Sequence, residues 1–478
     1  MKALPLLTAN LIACSFSLFV APLLLIANPE SLLWMKRISD VQASQTISGP
    51  TLRSPECGSE SLATDDPTSK KSNTKPTDST KPQTTPLSGD IKSPEATKAT
   101  PDRAPEEAET QQLSAEALRQ LRVTQTLQVY FTRQVDVEVL RPWSIMHGLI
   151  AYGRNSQVVV RGEHVNAADY LCQNGIGNEM RIMYLENGRL KTRIGVGVQG
   201  HPGQLLAILA QSNIPLDYKM SVEGKEFTVK DLVEYEKRDC RSGTELTFKL
   251  IGLSHYCEPG DVWRNESGEK WSFPRLIREE LAEPVSEGAC GGTHRLMALS
   301  FAVFQVEKRN LPLAGEWLNA ARKLDGYVDR AYALQNPDGS FSTEFFEKPG
   351  TENDRIRRCY STGHIVEWLA FTLPANKMSD PRLTKAVDYL TELMLSTPNY
   401  DLDVGPRGHA LHALAMYELK AYGKSSEHDH YLVTGAPLPP TIESKLVFDP
   451  PAAKPATVAK PASWTNDPPR LLQGRRRR

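Results

Sequence analysis

Five apolar, helix-like segments of this chain each begin near a histidine that usually lies beside a glycine. They are MHGLIAYG at His147, GHPGQLLAILA at His201, GGTHRLMALSFAVF at His294, TGHIVEWLAFTL at His364 and RGHALHALAMYEL at His409. A repeat of this kind is typical of folds built from several copies of one helical unit. It predicts a ring of helices with one polar, titratable side chain at the same end of each buried helix.

Two kinds of helix alternate along the predicted domain, which we place at residues 113–423. Segments 312–336 and 380–397 alternate apolar and charged residues at a helical period, as helices with one face in water do. The His294 segment is apolar on nearly every side, which predicts a helix buried over most of its surface. The pattern predicts a mainly α fold with an inner and an outer layer of helices.

Two local features refine this prediction. Ser114 stands where the N-cap of the first helix is expected. Between residues 214 and 284, the phrases VEGKEFTVKDL and TELTFKLIGL have the composition of short strands. We predict a small β-containing insertion there, between two helical hairpins.

The two ends of the chain differ in composition from this domain. Residues 1–43 contain an apolar run long enough to cross a bilayer, which predicts a membrane anchor, with a signal peptide as the alternative. Residues 44–112, rich in Ser, Thr, Pro and Lys, are predicted to be a disordered tether. Residues 424–478 are predicted to be a Pro-rich disordered tail with a basic end. We expect the main domain to lie outside the cytoplasm, anchored to a membrane or, alternatively, secreted.

The overall charge and the cysteines exclude some classes of protein. The formal net charge of −1 gives no general attraction to nucleic acid, which we do not expect as a partner. The cysteines lack the CxxC spacing of zinc ribbons and thioredoxin-like proteins. Cys240 and Cys257 are either paired across a short loop or buried as free thiols.

One phrase carries a resemblance to a known family. ALQNPDGSFSTEFF, residues 333–346, resembles the QW-type repeat of terpenoid cyclases and protein prenyltransferase β-subunits. With the histidine-headed helices, it makes residues 113–423 similar in architecture to that α/α-toroid superfamily, which implies an α/α-toroid fold. Within the phrase, Gln335 is predicted to bind backbone at a helix end and Phe341 to pack below the next helix. This structural role is favoured over a catalytic role for Asp338.

The chain departs from the catalytic motifs of those families. The predicted domain contains no Asp-x-Asp-Asp acid motif, and Asp239 and Cys240 are adjacent rather than one residue apart, as the prenyltransferase zinc site requires. The sequence Cys290-Gly291-Gly292-Thr293 lacks the Gln of the thioester motif found in other toroid proteins. Isoprenoid cyclase and prenyltransferase activities are therefore disfavoured.

The candidate site consists of the repeated histidines with neighbouring arginines, carboxylates and tyrosines. Helix N-termini and arginines favour anions, and neutral imidazoles are able to ligate a metal, commonly zinc. The sequence assigns no set of metal ligands and leaves the cofactor unknown. The catalytic candidates are His294, His364, Glu367, His409 and Tyr152, with Tyr360 as a second candidate tyrosine. The ligand-binding candidates are His147, His201, Arg295, Arg358, Arg407 and Asp338.

Two functions follow from this set, and the sequence leaves open whether the protein is an enzyme. A histidine-lined central cleft suits an enzyme that acts on a glycan or another anionic polymer. A non-catalytic binding or scaffold module of the cell envelope is the alternative. A solvent-filled pocket surrounded by at least three of the histidines would favour the enzyme, and a centre filled by side chains would favour the scaffold.

Overall fold

The computed structural model describes residues 113–396, 402–423 and Leu446. In this part the chain is mainly helical, with twelve α-helices, four short 3-10 helices and nine short strands, which confirms the predicted class. The helices are α1 (Ala115–Phe131), α2 (Pro142–Tyr152), α3 (Ala167–Cys172), α4 (Gln204–Gln211), α5 (Val229–Arg238), α6 (Thr247–Tyr256), α7 (Phe273–Ala282), α8 (Thr293–Lys308), α9 (Gly315–Ala333), α10 (Arg355–Thr372), α11 (Pro381–Leu395) and α12 (Val404–Tyr422).

Capping side chains set several of these helix ends. Ser114 caps α1, as predicted, by accepting a hydrogen bond from the backbone N–H of Ala117. Asp354 caps α10 and Asp380 caps α11 in the same way. Each cap satisfies a backbone donor that the first turn of a helix leaves unpaired.

The even-numbered helices contact one another in cyclic order. Each packs against the next even-numbered helix along the chain, and α12 packs against α2. Glycines allow the closest approaches. A Cβ at Gly408 would lie 2.2 Å from the carbonyl oxygen of His147, and one at Gly363 would lie 3.1 Å from Ala410. Helix α12 therefore packs nearly backbone to backbone against both α2 and α10.

The helices differ in how much of their surface is buried, as the hydrophobic pattern predicted. Helix α8 buries thirteen of its sixteen residues, whereas α9 buries only Ala320, Leu324 and Ala331 of its nineteen. Helix α9 packs against α7 and α8 and exposes its charged face. The core thus lies among the even-numbered helices.

The strands form four small sheets. They are β1 (Val135–Asp136), β2 (Gln157–Val160) and β3 (Glu163–Asn166) in one sheet, and three hairpins: β4 (Met183–Glu186) with β5 (Arg189–Thr192), β6 (Lys219–Val222) with β7 (Lys225–Thr228), and β8 (Val262–Arg264) with β9 (Lys270–Ser272). Strand β2 pairs parallel with β1 and antiparallel with β3. The β4–β5 connection is Asn187-Gly188, with positive φ at both residues, as tight two-residue hairpin turns require.

The segment at 214–284 contains the predicted β structure, strands β6 to β9, but it is not a separate insertion. This segment contains α5, α6 and α7, and strands also occur well before it, from Val135 onwards. The phrase TELTFKLIGL, predicted as a strand, forms the beginning of α6. Helix α6 is buried along its first eight residues, Thr247–Ser254. A helix buried on all sides has no period of 3.6 to reveal it, and its strand-forming residues misled the sequence-based assignment.

The predicted common position of the five histidines holds only in part. His201 precedes α4, and His294 is the second residue of α8, whereas His147 and His409 lie in the second turns of α2 and α12. His364 is the tenth residue of α10. The cap at Asp354 starts α10 well before the apolar segment, so the onset of apolar residues does not mark a helix start.

The segment around Gln335 has the predicted structural role. The Gln335 side-chain amide donates to the carbonyl oxygens of Gly339 at 2.9 Å and Arg382 at 2.8 Å. Gly339 has a φ of +98°, and Phe341 is fully buried. Asp338 forms an ion pair with Arg358, 2.6 Å between the nearest atoms. We call Gln335, Asp338, Ser340, Phe341 and Arg358 the turn network.

Several sequence-based predictions fall outside the described residues. These are the membrane segment at 1–43, the tether at 44–112 and, apart from Leu446, the tail at 424–478. No helix in the described ranges has the length and apolar character needed to cross a bilayer. Cys240 and Cys257 are both buried free thiols, which resolves the alternative that the sequence left open.

Candidate functional site

Four of the five histidines meet in the core, each from a different even-numbered helix. The ring centroids of His364 and His409 lie 3.9 Å apart, and that of His294 lies 5.3 Å and 5.0 Å from them. His147 lies 5.2 Å from His409. None of these four residues is more than 6% exposed. We call His147, His294, His364 and His409 the histidine centre.

Backbone carbonyl groups fix the proton positions of two rings. His364 Nδ1 lies 2.7 Å from the carbonyl oxygen of Tyr360, and His147 Nδ1 lies 2.7 Å from that of Trp143. A carbonyl oxygen only accepts, so each Nδ1 carries the proton and each Nε2 presents a lone pair. The Nε2 atom of His364 is buried and has no hydrogen-bond partner among the described residues.

Glu367 connects two histidines of α12. Its carboxylate accepts hydrogen bonds from His409 Nδ1 at 2.8 Å and from His412 Nδ1 at 2.6 Å, and the residue is only 2% exposed. Glu367, predicted as a catalytic residue, follows His364 by about one turn on α10, so the sequence alone suggests that these two side chains share one helix face. Its hydrogen bonds instead cross to α12. His412 was missed, although its spacing of three residues from His409 places both on one helix face.

Burial keeps the histidine centre neutral. It lowers the pKa of His147 to about 4 and lowers the pKa values of His294, His364 and His409 well below 6.5. Removing an imidazolium from water costs free energy, and the neighbouring rings add repulsion between positive charges. At neutral pH the four side chains are therefore uncharged imidazoles.

A short turn before α8 brings Cys290 to this centre. Cys290 has a positive φ of 54° and is followed by two glycines that also have positive φ. A Cβ at Gly291 would lie 2.2 Å from the Phe345 ring, and one at Gly292 would lie 2.1 Å from the Val285 carbonyl oxygen. The turn therefore needs both glycines to reach its conformation.

The Cys290 thiol completes a group that is able to hold a metal ion. Potential ligand atoms of Cys290, His294 and His364 all lie within 4.8 Å of one another. Burial raises the pKa of the Cys290 thiol to about 12, and a hydrogen bond with the Tyr360 side chain opposes that shift. Cys290 was not among the predicted site residues, because the phrase Cys290-Gly291-Gly292-Thr293 lacks the Gln of the thioester motif. Its spacing of four residues from His294 is within the range of metal-ligand pairs and could have indicated it.

Comparison with known proteins adds no relative. The chain matches no protein family, no curated protein sequence and no solved structure. The resemblance to terpenoid cyclases and prenyltransferases thus rests on the motifs quoted above, and arguments about function rest on the geometry of the site.

The fifth histidine lies at the edge of the histidine centre. His201 Nδ1 donates a hydrogen bond to the Glu245 carboxylate at 2.7 Å, and its ring stacks on Phe248 with 4.9 Å between centroids. Phe248 in turn lies 5.0 Å from His294. An aromatic ring therefore separates His201 from the other four histidines.

The predicted ligand-binding arginines have protein partners. Arg295 pairs with Glu280 at 3.0 Å, and both side chains are buried. Arg358 pairs with Asp338 in the turn network and also donates to the carbonyl oxygens of Thr351 and Glu352. These guanidinium groups act on the protein's own carboxylates and backbone, which differs from the predicted anion-binding floor.

Arg407 and Tyr152 lie beside a small cavity. Both line a cavity of about 30 Å³ that His147 also borders. The Tyr152 hydroxyl donates to the carbonyl oxygen of Leu127 at 2.8 Å, and burial raises the pKa of Tyr152. A second cavity of about 10 Å³ lies near Tyr235 and Asp239. Spaces of this size hold single water molecules.

The predicted cleft therefore takes a different form in the described residues. The histidines converge, as predicted, but they do so in a closed core rather than around solvent. Neither of the two small cavities is lined by Cys290, His294 or His364. The arrangement suits a small ligand that binds between side chains.

Proposed function

We propose that this domain works through the histidine centre, as a site for one small ligand rather than as an open cleft for a polymer. The observation that carries the proposal is the buried, unpartnered Nε2 of His364 at the point where four imidazoles meet. Leaving a buried acceptor unpaired costs about 1–3 kcal/mol. A core that served stability alone would do better with an apolar side chain at this position.

The geometry supports a glycan or another anionic polymer less well. Such a ligand would need cationic side chains facing an open groove. Arg295 and Arg358 are instead paired with Glu280 and Asp338, and the four histidines are nearly inaccessible. We therefore propose a small ligand and leave the polymer as the outcome that a binding test has to exclude.

The second candidate is a non-catalytic scaffold of the cell envelope. The observation in its favour is that side chains fill the space between the even-numbered helices. On this proposal the histidines and Glu367 are a buried hydrogen-bonding core. The two candidates differ in what the histidines contribute to stability.

For the arrangement of the helices, we propose an α/α-toroid similar in architecture to the terpenoid cyclase and prenyltransferase superfamily. The cyclic contacts of α2, α4, α6, α8, α10 and α12 support it, as does the outer position of α9. Isoprenoid chemistry is the less favoured activity, because the acid and zinc motifs of those enzymes are missing from the predicted domain.

We also propose that the domain is tethered outside the cytoplasm by the apolar N-terminal segment, with secretion as the alternative. The support is the apolar run followed by a polar tether in the sequence. A topology reporter joined after Gly423 should be active only outside the cytoplasm. Activity confined to the cytoplasm would contradict the proposal.

The test of function uses apolar substitutions that keep the volume of the core. In chelator-treated, ligand-free protein, we expect His364→Leu to change the free energy of unfolding by less than about 1 kcal/mol, because an unpaired polar atom is removed. A loss of about 3 kcal/mol would show that His364 is structural and would favour the scaffold.

A binding measurement on the same two proteins separates the ligand classes. Thermal stability is followed with inorganic phosphate, divalent cations and heparin as the anionic polymer. We expect a small ligand to stabilise the wild-type protein and not His364→Leu. Stabilisation by heparin that disappears in His364→Leu would overturn the choice of a small ligand.

A further inference from the structure

We propose that the small ligand is a tetrahedral zinc ion held by Cys290, His294, His364 and His409. This inference rests on the proposed function, because it names the ligand of the same site. Three of the four residues already place potential ligand atoms within 4.8 Å of one another. The fourth, His409, is not part of that 4.8 Å group; its ring packs on the His364 ring, with 3.9 Å between centroids, which makes it the neighbouring imidazole that would complete the tetrahedron.

His364 is the clearest ligand. Its Nδ1 proton is committed to the Tyr360 carbonyl oxygen, so the lone pair on Nε2 is the only metal-binding atom of the ring. That atom is buried without a hydrogen-bond partner among the described residues. Coordination would satisfy it, which no neighbouring protein group does.

The distances require only a small contraction. Zinc binds imidazole nitrogen at about 2.0–2.1 Å and thiolate sulfur at about 2.3 Å, so tetrahedral ligand atoms lie about 3.4–3.7 Å apart. The ligand atoms of Cys290, His294 and His364, which are now within 4.8 Å of one another, need to approach by about 1.4 Å at most. Small side-chain rotations of Cys290, in the turn before α8, and of His294, at the start of α8, would bring these atoms together.

Glu367 is the positioning residue of this site. It accepts a hydrogen bond from Nδ1 of His409 and so directs Nε2 of that ring away from itself. A carboxylate behind a metal-bound imidazole fixes the ring and makes the nitrogen a stronger ligand. His412, on the other oxygen of Glu367, holds the carboxylate in place.

The donor set selects the class of metal. One thiolate with imidazoles suits zinc and related d-block ions, whereas magnesium and calcium require oxygen ligands. Zinc binding would displace the proton of the Cys290 thiol, as metal coordination of thiols normally does.

Metal analysis and cobalt spectroscopy test the proposal on the full chain, purified without a polyhistidine tag. We expect about one equivalent of zinc per chain. After removal of metal by a chelator, cobalt(II) should give the visible bands of a tetrahedral ion and a near-ultraviolet thiolate-to-cobalt band. Cys290→Ser should abolish the thiolate band, and His364→Gln should weaken cobalt binding.

Glu367→Gln separates positioning from direct ligation. It should retain the thiolate band while weakening metal affinity about 10–100-fold. Cys257→Ser and His255→Gln are matched controls, because both residues lie at the C-terminal end of α6, away from the histidine centre. These two variants should bind metal as the wild-type protein does.

Three results would overturn the zinc site. They are an octahedral cobalt spectrum without a thiolate band, unchanged binding in Cys290→Ser, and alkylation of Cys290 by iodoacetamide at the same rate with and without zinc. The last result would point to a thiol with a neighbouring imidazole base. None of them affects the proposed function, which fails only if His364→Leu destabilises the fold or if heparin is the ligand.

Discussion

Helix α10 carries two buried polar groups of opposite character. Near its start, Arg358 of the turn network donates to Asp338, Ser340 and two backbone carbonyl oxygens. Less than two turns later, His364 of the histidine centre leaves Nε2 unpaired. The first group is complete within the protein, and the second is not.

The difference shows how to separate structure from function in this core. A polar group that contributes to stability satisfies its donors and acceptors from within the chain, as the turn network does. A polar group that awaits a ligand retains an unused ligating atom and is costly without that ligand. The four predictions below test this contrast, in order of decreasing effect.

The largest expected effect is on the unfolding free energy when zinc binds at the histidine centre. At a free zinc concentration about 1,000-fold above the dissociation constant, the unfolding free energy should rise by about 4 kcal/mol. Chemical denaturation with and without zinc measures this rise. Cys290→Ser should lose it and Arg358→Ala should keep it. An equal rise in Cys290→Ser would erase the contrast between the two groups.

Disrupting the turn network should cost more than disrupting the centre. Arg358→Ala should lower the unfolding free energy by about 3 kcal/mol, since it leaves the Asp338 carboxylate and two carbonyl oxygens without their charged donor. Urea denaturation of metal-free protein measures the loss. A cost below that of His364→Leu would reverse the comparison.

Acid should lower the unfolding free energy of the metal-free protein, because the histidine centre is uncharged when folded. The pKa of His147 is lowered in the folded protein to about 4 from an ordinary value of 6.5. As the pH falls below 6.5, the unfolded chain takes up a proton that the folded chain does not. Stability is therefore complete above that pH and is lost towards lower pH. Between about pH 6.5 and about pH 5, His147 alone should account for about 2 kcal/mol.

A variant of His147 isolates this contribution. His147→Phe should flatten the dependence of unfolding free energy on pH over that interval, whereas Arg358→Ala should retain the wild-type slope. Equal slopes in wild-type and His147→Phe protein would show that His147 is protonated in the folded state.

The smallest expected effect concerns the edge of the turn network. Gln335→Ala removes two partly exposed hydrogen bonds to Gly339 and Arg382. The loss should be about 1 kcal/mol, since bonds that compete with water contribute little net stability. Thermal unfolding measures it, and a loss as large as that of Arg358→Ala would mean that the turn, rather than the ion pair, holds the network together.

Much of the local structure could be predicted from the sequence. The cap at Ser114 and the turn at Gln335 depend on residues within a few positions of one another. The contrast between the buried α8 and the amphipathic α9 depends on periodicity, which is equally local. Helix α6 was missed because burial on every side removes that periodicity.

The composition of the candidate site was only partly predictable. The repeated histidines marked four residues that meet in the core. The Glu367 carboxylate, however, bonds His409, which lies 42 residues away, and Cys290 joins through a turn whose positive φ angles no helical pattern indicates. The arginines were assigned to a ligand because sequence proximity to a histidine does not reveal a distant carboxylate partner.

By itself, the sequence determined that this is a mainly helical domain with buried and outer helices and with histidines repeated on the buried ones. Hydrophobic period, caps and turn residues act over one or two turns of chain, so they can be read without knowledge of packing. Only the tertiary structure decided which imidazole rings lie side by side and which carboxylate each arginine pairs with. It also decided that the histidine centre is buried rather than open to solvent. Those relations depend on the register and crossing of helices far apart in the chain, where a shift of one residue would rotate a side chain by about 100°.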